Sequence, residues 1–177
     1  MITKNFIPAI SFATSSTNGS ATMTRIDGTL DNVAFTGGNY NGINEFLQGL
    51  YNKKASYNGQ IANTPYGMFV FVGNGATAAT KDDVNLESHI PYSDTELCVN
   101  VSNVSYIRSQ DTFLIFTVTL ENKSGAPITI TEDGLFFRPN SGNYIYFPYN
   151  YMLARETFDP ITIESGQTKT ITMTIKV

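Results

Sequence analysis

At 177 residues the chain has room for one ordinary domain and no comfortable second one. Its net charge is −4 and it has no run of Lys or Arg, which excludes the electrostatic footprint of a nucleic-acid binder. No apolar stretch reaches the ~18 to 20 residues that cross a bilayer as a helix, and the Pro-broken run after Lys4 makes a poor signal peptide, so synthesis in a cytoplasm is expected.

The hydrophobic fraction of 41% supplies a core, whereas the charged fraction of 15% falls below the usual ~25%. Small neutral polar residues take the place of the missing charges: 22 Thr, 17 Asn and 13 Ser. Thr suits a pleated, half-buried strand better than a helix, so a mostly β chain is expected. The lone cysteine, Cys98, forms no internal disulfide and belongs to no cysteine-rich metal site.

The first 40 residues carry only short candidate strands, Phe6 to Phe12 and Ala21 to Ile26. Ile43, Phe46, Leu47, Leu50 and Tyr51 then fall at i, i+3, i+4, i+7 and i+8, which predicts one short helix over about 43–54. Asn41 stands where a cap belongs, and Lys53 with Lys54 stands at the negative end. After the Asn58-Gly59 turn signal, the apolar run from Tyr66 to Gly73 reads as a strand buried on both faces, closed by Gly73-Asn74-Gly75. Residues 76 to 94 are polar and predict a long loop or helical turn.

From Glu96 onward the pattern is β. Phe116, Val118 and Leu120 alternate with Thr117, Thr119 and Glu121, and Ile128 and Ile130 with Thr129 and Thr131 across Lys123 to Pro127, which predicts a hairpin. At the C-terminus Ile171, Met173, Ile175 and Val177 alternate with Thr170, Thr172, Thr174 and Lys176 after the turn Glu164 to Gln167. Several short antiparallel strands with one polar face each predict an antiparallel β-sandwich. The reading divides the chain into an irregular, contact-making segment over 1–65, containing the helix, and a β-sandwich domain over 66–177.

Catalytic chemistry has little to draw on. His89, before Ile90-Pro91, reads as a surface or hydrogen-bonding residue, and Cys98, within Leu97-Cys98-Val99, as a small buried apolar one. Asp82-Asp83 lacks the alternating carboxylates of a calcium loop, and Gly73-Asn74-Gly75 lacks the Lys and following helix of a phosphate loop. No catalytic, cofactor-binding or metal-binding residue is assigned; the expectation is no enzyme and no cofactor. Tyr144, Tyr146, Tyr149 and Tyr151 crowd into eight residues, a cluster that suits packing at the sandwich edge, a subunit interface or a sugar platform. Glu132 and Arg155 both stand beside apolar residues expected in the core, where an unpartnered charge is costly, so they are expected to form a structural ion pair.

The succession Phe116 to Asn122, Ile130 to Phe136, Met152 to Phe158 with Pro160, and Ile163 to Ile171 resembles a module met in tailed-bacteriophage virion proteins, with Val72 to Gly75 and Asp83 to Leu86 resembling its opening element. The resemblance covers roughly residues 66 to 177. It implies an immunoglobulin-like or jelly-roll sandwich in a virion structural component, such as a capsid decoration, head-fibre or tail protein, with other copies of itself and other virion proteins as partners and neither nucleic acid nor membrane. A receptor- or glycan-binding module that contacts a cell-surface glycan is the alternative.

Overall fold

The computed structural model describes residues 1–6, 8–9, 19–35, 67–107, 113–138 and 151–176. The helix expected over 43–54 and the tyrosines at 144, 146 and 149 lie outside them. Among the described residues there are nine strands, all paired antiparallel: β1 (Gly19–Thr24), β2 (Leu30–Phe35), β3 (Gly67–Gly73), β4 (His89–Ile90), β5 (Leu97–Ile107), β6 (Phe113–Asn122), β7 (Ile128–Arg138), β8 (Tyr151–Ile163) and β9 (Thr168–Lys176). They form a β1-β2 hairpin, a four-stranded sheet β4-β3-β7-β8 and a three-stranded sheet β5-β6-β9. The mostly β, antiparallel class expected from the Thr-rich composition is the class found.

The alternation of side chains decides which faces close on each other. In the three-stranded sheet Phe116, Val118, Leu120, Met173 and Ile175 are buried, while Thr170, Thr172 and Thr174 are exposed. The buried set joins Val70, Val72, Ile130, Leu135, Phe137, Leu153 and Ile163 of the four-stranded sheet in one apolar cluster. Two sheets sharing one core is consistent with a sandwich. The four-stranded sheet is covered on its other face as well. There Phe69, Phe71, Phe136 and Met152 pack with Ile26 and Leu86, so the apolar run of β3 feeds two clusters, Val70 and Val72 to one side and Phe69 and Phe71 to the other.

The hairpin expected across Lys123 to Pro127 does not form. β6 lies in the three-stranded sheet and β7 in the four-stranded sheet, so the connection is an arch from one sheet to the other, and Glu164 to Gln167 forms a second arch from β8 to β9. Period-2 alternation cannot separate the two cases, since each strand presents one apolar face either way. Asn122 holds the two arches together. Fully buried, it donates from Nδ2 to the carbonyls of Ala126 and Ile163, both at 2.8 Å. Its Oδ1 accepts from the Ser124 N–H at 2.9 Å and the Ser124 hydroxyl at 2.7 Å. Its main chain bonds Gln167 and Gly166, and Gly166 adopts the positive φ of 77° that the tight turn requires.

The described part of the N-terminal segment builds onto the same core, so the boundary expected at residue 65 does not divide the core. Phe6, Met23 and Val33 belong to the shared cluster, and Ile2 bridges antiparallel to Ala154 on β8. Around Phe6 a helical turn replaces the expected strand, with the Ala9 N–H bonding the Asn5 carbonyl at 3.1 Å. The Asn5 amide meets the Thr24 main chain as a strand neighbour would, accepting from its N–H and donating to its carbonyl, both at 2.7 Å.

Two outcomes follow from this packing. Removing β9 by truncation after Gly166 takes away Met173 and Ile175, each worth ~1.5 to 3 kcal/mol when buried, and uncovers the edge of β6, against a total stability of ~5 to 15 kcal/mol. The truncated chain is expected to be insoluble, and a soluble product with a cooperative melt would contradict this role. Asn122→Ala is expected to lower stability by about 2 to 4 kcal/mol, because the buried Ile163 carbonyl loses its donor and the Ser124 N–H its acceptor; a urea titration measures it.

Candidate functional site: a buried charge cluster around Arg155

The site begins with a carboxylate that displaces side chains around it. Glu132 on β7 stands in register with Gly73 of β3. A Cβ on Gly73 would collide with the Glu132 carboxylate, and one on Gly75 would lie 2.6 Å from Oε1. The two glycines flanking Asn74 are therefore where the backbone makes room for a buried acid. Once there, Glu132 is fully buried and both oxygens are engaged. Oε1 accepts from the N–H groups of Gly75 at 3.0 Å and Ser88 at 2.8 Å, and Oε2 from the Glu87 N–H at 3.1 Å and Arg155 Nε at 2.8 Å.

Arg155 reaches this carboxylate because β8 is irregular. The pairing with β7 shifts between Leu135 and Phe136, which leaves Leu153 as an extra residue on β8, and Leu153 and Ala154 both join the shared core. Such a bulge resets the alternation and turns Arg155 to the face of Glu132. A second shift, between Ile130 and Glu132, leaves Phe158, Asp159 and Pro160 unpaired with β7, a place where a proline without an N–H is tolerated. The Arg155 side chain is 3% exposed. Its NH1 lies 2.8 Å from Asp83, its NH2 donates to the Thr77 carbonyl at 3.1 Å, and Glu87 lies 3.6 Å away.

The surrounding loop is shaped by the same acids. Asp83 accepts from the N–H and hydroxyl of Thr80, and Glu87 from those of Thr77. Burial pushes the Asp83 carboxyl up, but the Thr80 N–H and the Arg155 guanidinium outweigh it and hold the pKa below the usual value. The Thr77 N–H and hydroxyl hold Glu87 low as well. His89 is in β4, not in a loop, with its ring 5.0 Å from that of Phe71. Burial lowers its pKa and Glu132 opposes that shift. Chemically the cluster is a clasp, one guanidinium and three carboxylates fastening residues 74 to 88 to the sheet. Among the described residues no group of three or more His, Cys, Asp and Glu is disposed to hold a metal ion.

Tyr151, grouped by sequence with the contact-making tyrosines, is fully buried in its own chain. Its hydroxyl donates to Asp31 at 2.8 Å, and Arg25 pairs with the same carboxylate at 2.7 Å, so the surface reading does not extend to this residue. The aromatic body fills the core while the hydroxyl reaches a half-buried acid. Cys98 is half-buried rather than buried, with Sγ 3.7 Å from the Tyr92 hydroxyl. Sequence reasoning brings Glu132 and Arg155 together but misses Asp83, Glu87 and the two glycines; the signal was the Gly73-Asn74-Gly75 spacing, which reads equally well as a turn. No protein-family model, curated protein or solved structure matches the chain.

The clasp makes two measurable predictions. Arg155→Met leaves the fully buried Glu132 without its guanidinium and is expected to cost about 3 to 5 kcal/mol, whereas Glu132→Gln leaves Arg155 with Asp83 and Glu87 and is expected to cost less. The double variant is expected to cost clearly less than the sum, and additive losses in urea unfolding would show that the two do not act as a pair. Because the folded-state pKa of Asp83 is depressed, its contribution is present above the unfolded value near 3.8 and is lost as pH falls through the folded pKa. Acid melting below about pH 4 should therefore be shallower in Asp83→Asn than in the parent.

Proposed function

We propose that this chain is a structural component of a bacteriophage virion, made in the host cytoplasm and assembled with copies of itself and with capsid or tail proteins. The observation that carries this reading is the use made of the buried charge. Arg155, Glu132, Asp83 and Glu87 are spent on fixing a long surface loop to the sheet, which suits a subunit whose exposed loops must keep one shape against many identical neighbours. The segments that resemble phage virion proteins coincide with β6, β7, β8 and β9, the strands that build the shared core. Low charge lessens the cost of pressing such subunits together. Quantitative mass spectrometry of purified particles tests it: a fixed, symmetric copy number is expected, and absence of the chain from particles would refute the proposal.

A second reading, a receptor- or glycan-binding module, is favoured by one feature. On the outer face of the three-stranded sheet Asn100, Thr119 and Thr170 stand in one row and Asn103, Thr117 and Thr172 in the next, an array of hydroxyls and amides suited to uncharged sugars. Glycan-array binding that is abolished in Thr119→Val/Thr172→Val would favour it.

A further inference from the structure

The two larger sheets have four edges, and three of them carry features that discourage a further strand. β4 has two residues and is followed by Pro91. β8 carries Pro160, and residues 1 to 3 lie as a strap along its outer edge: Ile2 bridges to Ala154, and the Thr3 N–H donates to the Leu153 carbonyl at 2.9 Å. β5 is interrupted by a register shift between Val101 and Asn103. β9 has no such interruption. Its nine residues pair with β6 without a shift and include no proline, and among the described residues no strand pairs with its outer edge. An edge of that kind is a template for another strand.

We propose that β9 is the contact between two copies of this chain: it pairs antiparallel with β9 of a second copy about a two-fold axis, joining the two three-stranded sheets into one. The sequence of β9 is self-complementary in that arrangement. The register that overlaps all of Thr168–Lys176 sets Thr172 against its own copy, Thr170 against Thr174, Ile171 against Met173, Lys169 against Ile175 and Thr168 against Lys176. No lysine stands opposite a lysine. The exposed Thr170, Thr172 and Thr174 meet threonines, a cross-strand pairing that stabilises antiparallel strands.

Lys169 decides which strand can dock. It stands opposite Leu120 of β6, on the face turned to the core, where a charge on an edge strand deters any partner that lacks a counter-charge. A second copy has one. In this register the partner's Lys169 lies across from Ile175, and Ile175 lines a cleft of 190 Å³ between β9 and β8 together with Met173, Ile2 and Glu156. Glu156 is half-buried, and neither it nor Lys169 joins a salt bridge among the described residues. A lysine arriving over Ile175 lays its apolar stem along the cleft and brings its ammonium to Glu156. The two-fold axis makes this contact twice and closes the assembly at two copies. The inference gives the self-assembly proposed above a surface but does not depend on a virion, since a dimer in solution needs no particle and absence from particles would leave it standing.

Sedimentation equilibrium of the full chain is expected to show twice the monomer mass of 19.4 kDa. Lys169→Glu sets a second acid beside Glu156 and is expected to weaken the dimer at least about tenfold. Glu156→Lys, which sets two lysines together, is expected to do the same. Mixing the two variants should restore a dimer, because each contact then joins opposite charges. A parent that stays monomeric at submillimolar concentration overturns the proposal, as does a dimer indifferent to Lys169→Glu. Should Glu156→Lys fail to fold, Thr172→Cys in a Cys98→Ser background decides. Residues opposed across antiparallel strands stand about 4.5 to 5.5 Å apart at Cα, within disulfide reach, so mild oxidation should give a covalent dimer. Absence of that cross-link overturns the proposal.

Discussion

A guanidinium taken out of water has to be answered by carboxylates and by carbonyl oxygens, and the answer given to Arg155 organises one whole face of this protein. Glu132 can stand beside it only because Gly73 and Gly75 have no side chains to exclude the carboxylate. Arg155 points there only because β8 carries an extra residue at Leu153. The loop from Asn74 to Ser88 then has one arrangement that brings Asp83, Glu87 and the Thr77 carbonyl to the same group. Its N–H groups at Gly75, Glu87 and Ser88 find their acceptor in Glu132 rather than in a neighbouring strand. A long polar loop thereby acquires the order of a regular element without being one.

The core depends on a different constraint, the passage of the chain between sheets. Both crossings on the C-terminal side end at one buried amide, that of Asn122, which satisfies main-chain groups of each arch at once. An arch strips its backbone of the pairing that a hairpin would provide, and a side-chain amide with two donors and an acceptor replaces it. The Asn5 amide does the same for Thr24 at the other end of the chain, so two asparagines in a sequence crowded with them have a structural role that composition hides.

What the sequence discloses is the class of structure rather than its wiring. Period-2 alternation in β6 and β9 marks which side chains are buried, and the unbroken apolar run of β3 marks a strand covered on both faces; both are local facts carried by local residues. Whether β6 and β7 lie side by side or in facing sheets is not local, and Phe116, Val118 and Leu120 read identically in the two cases. The meeting of Glu132 with Arg155 was legible because a charge among apolar neighbours needs a partner. The participation of Asp83 and Glu87 was not, since nothing in a polar loop says which acid will turn inward. The register shifts that aim Arg155 outward and Glu156 inward leave no sequence signal apart from Pro160.

Arched connectivity also sets the order in which contacts become available. β6 lies between β5, which precedes it closely, and β9, which arrives after the whole of the other sheet has been threaded. The strap at residues 1 to 3 closes on β8 across 154 positions of chain in its longest bond. Few of these pairings reward a short loop, so the closure entropy falls due before the contacts that offset it exist. Such a topology folds slowly and leaves the apolar face of β6 open to other chains in the interval. A shallow kinetic trap of that kind is tolerable where the chain is made in quantity and, once closed, is not asked to open its core again.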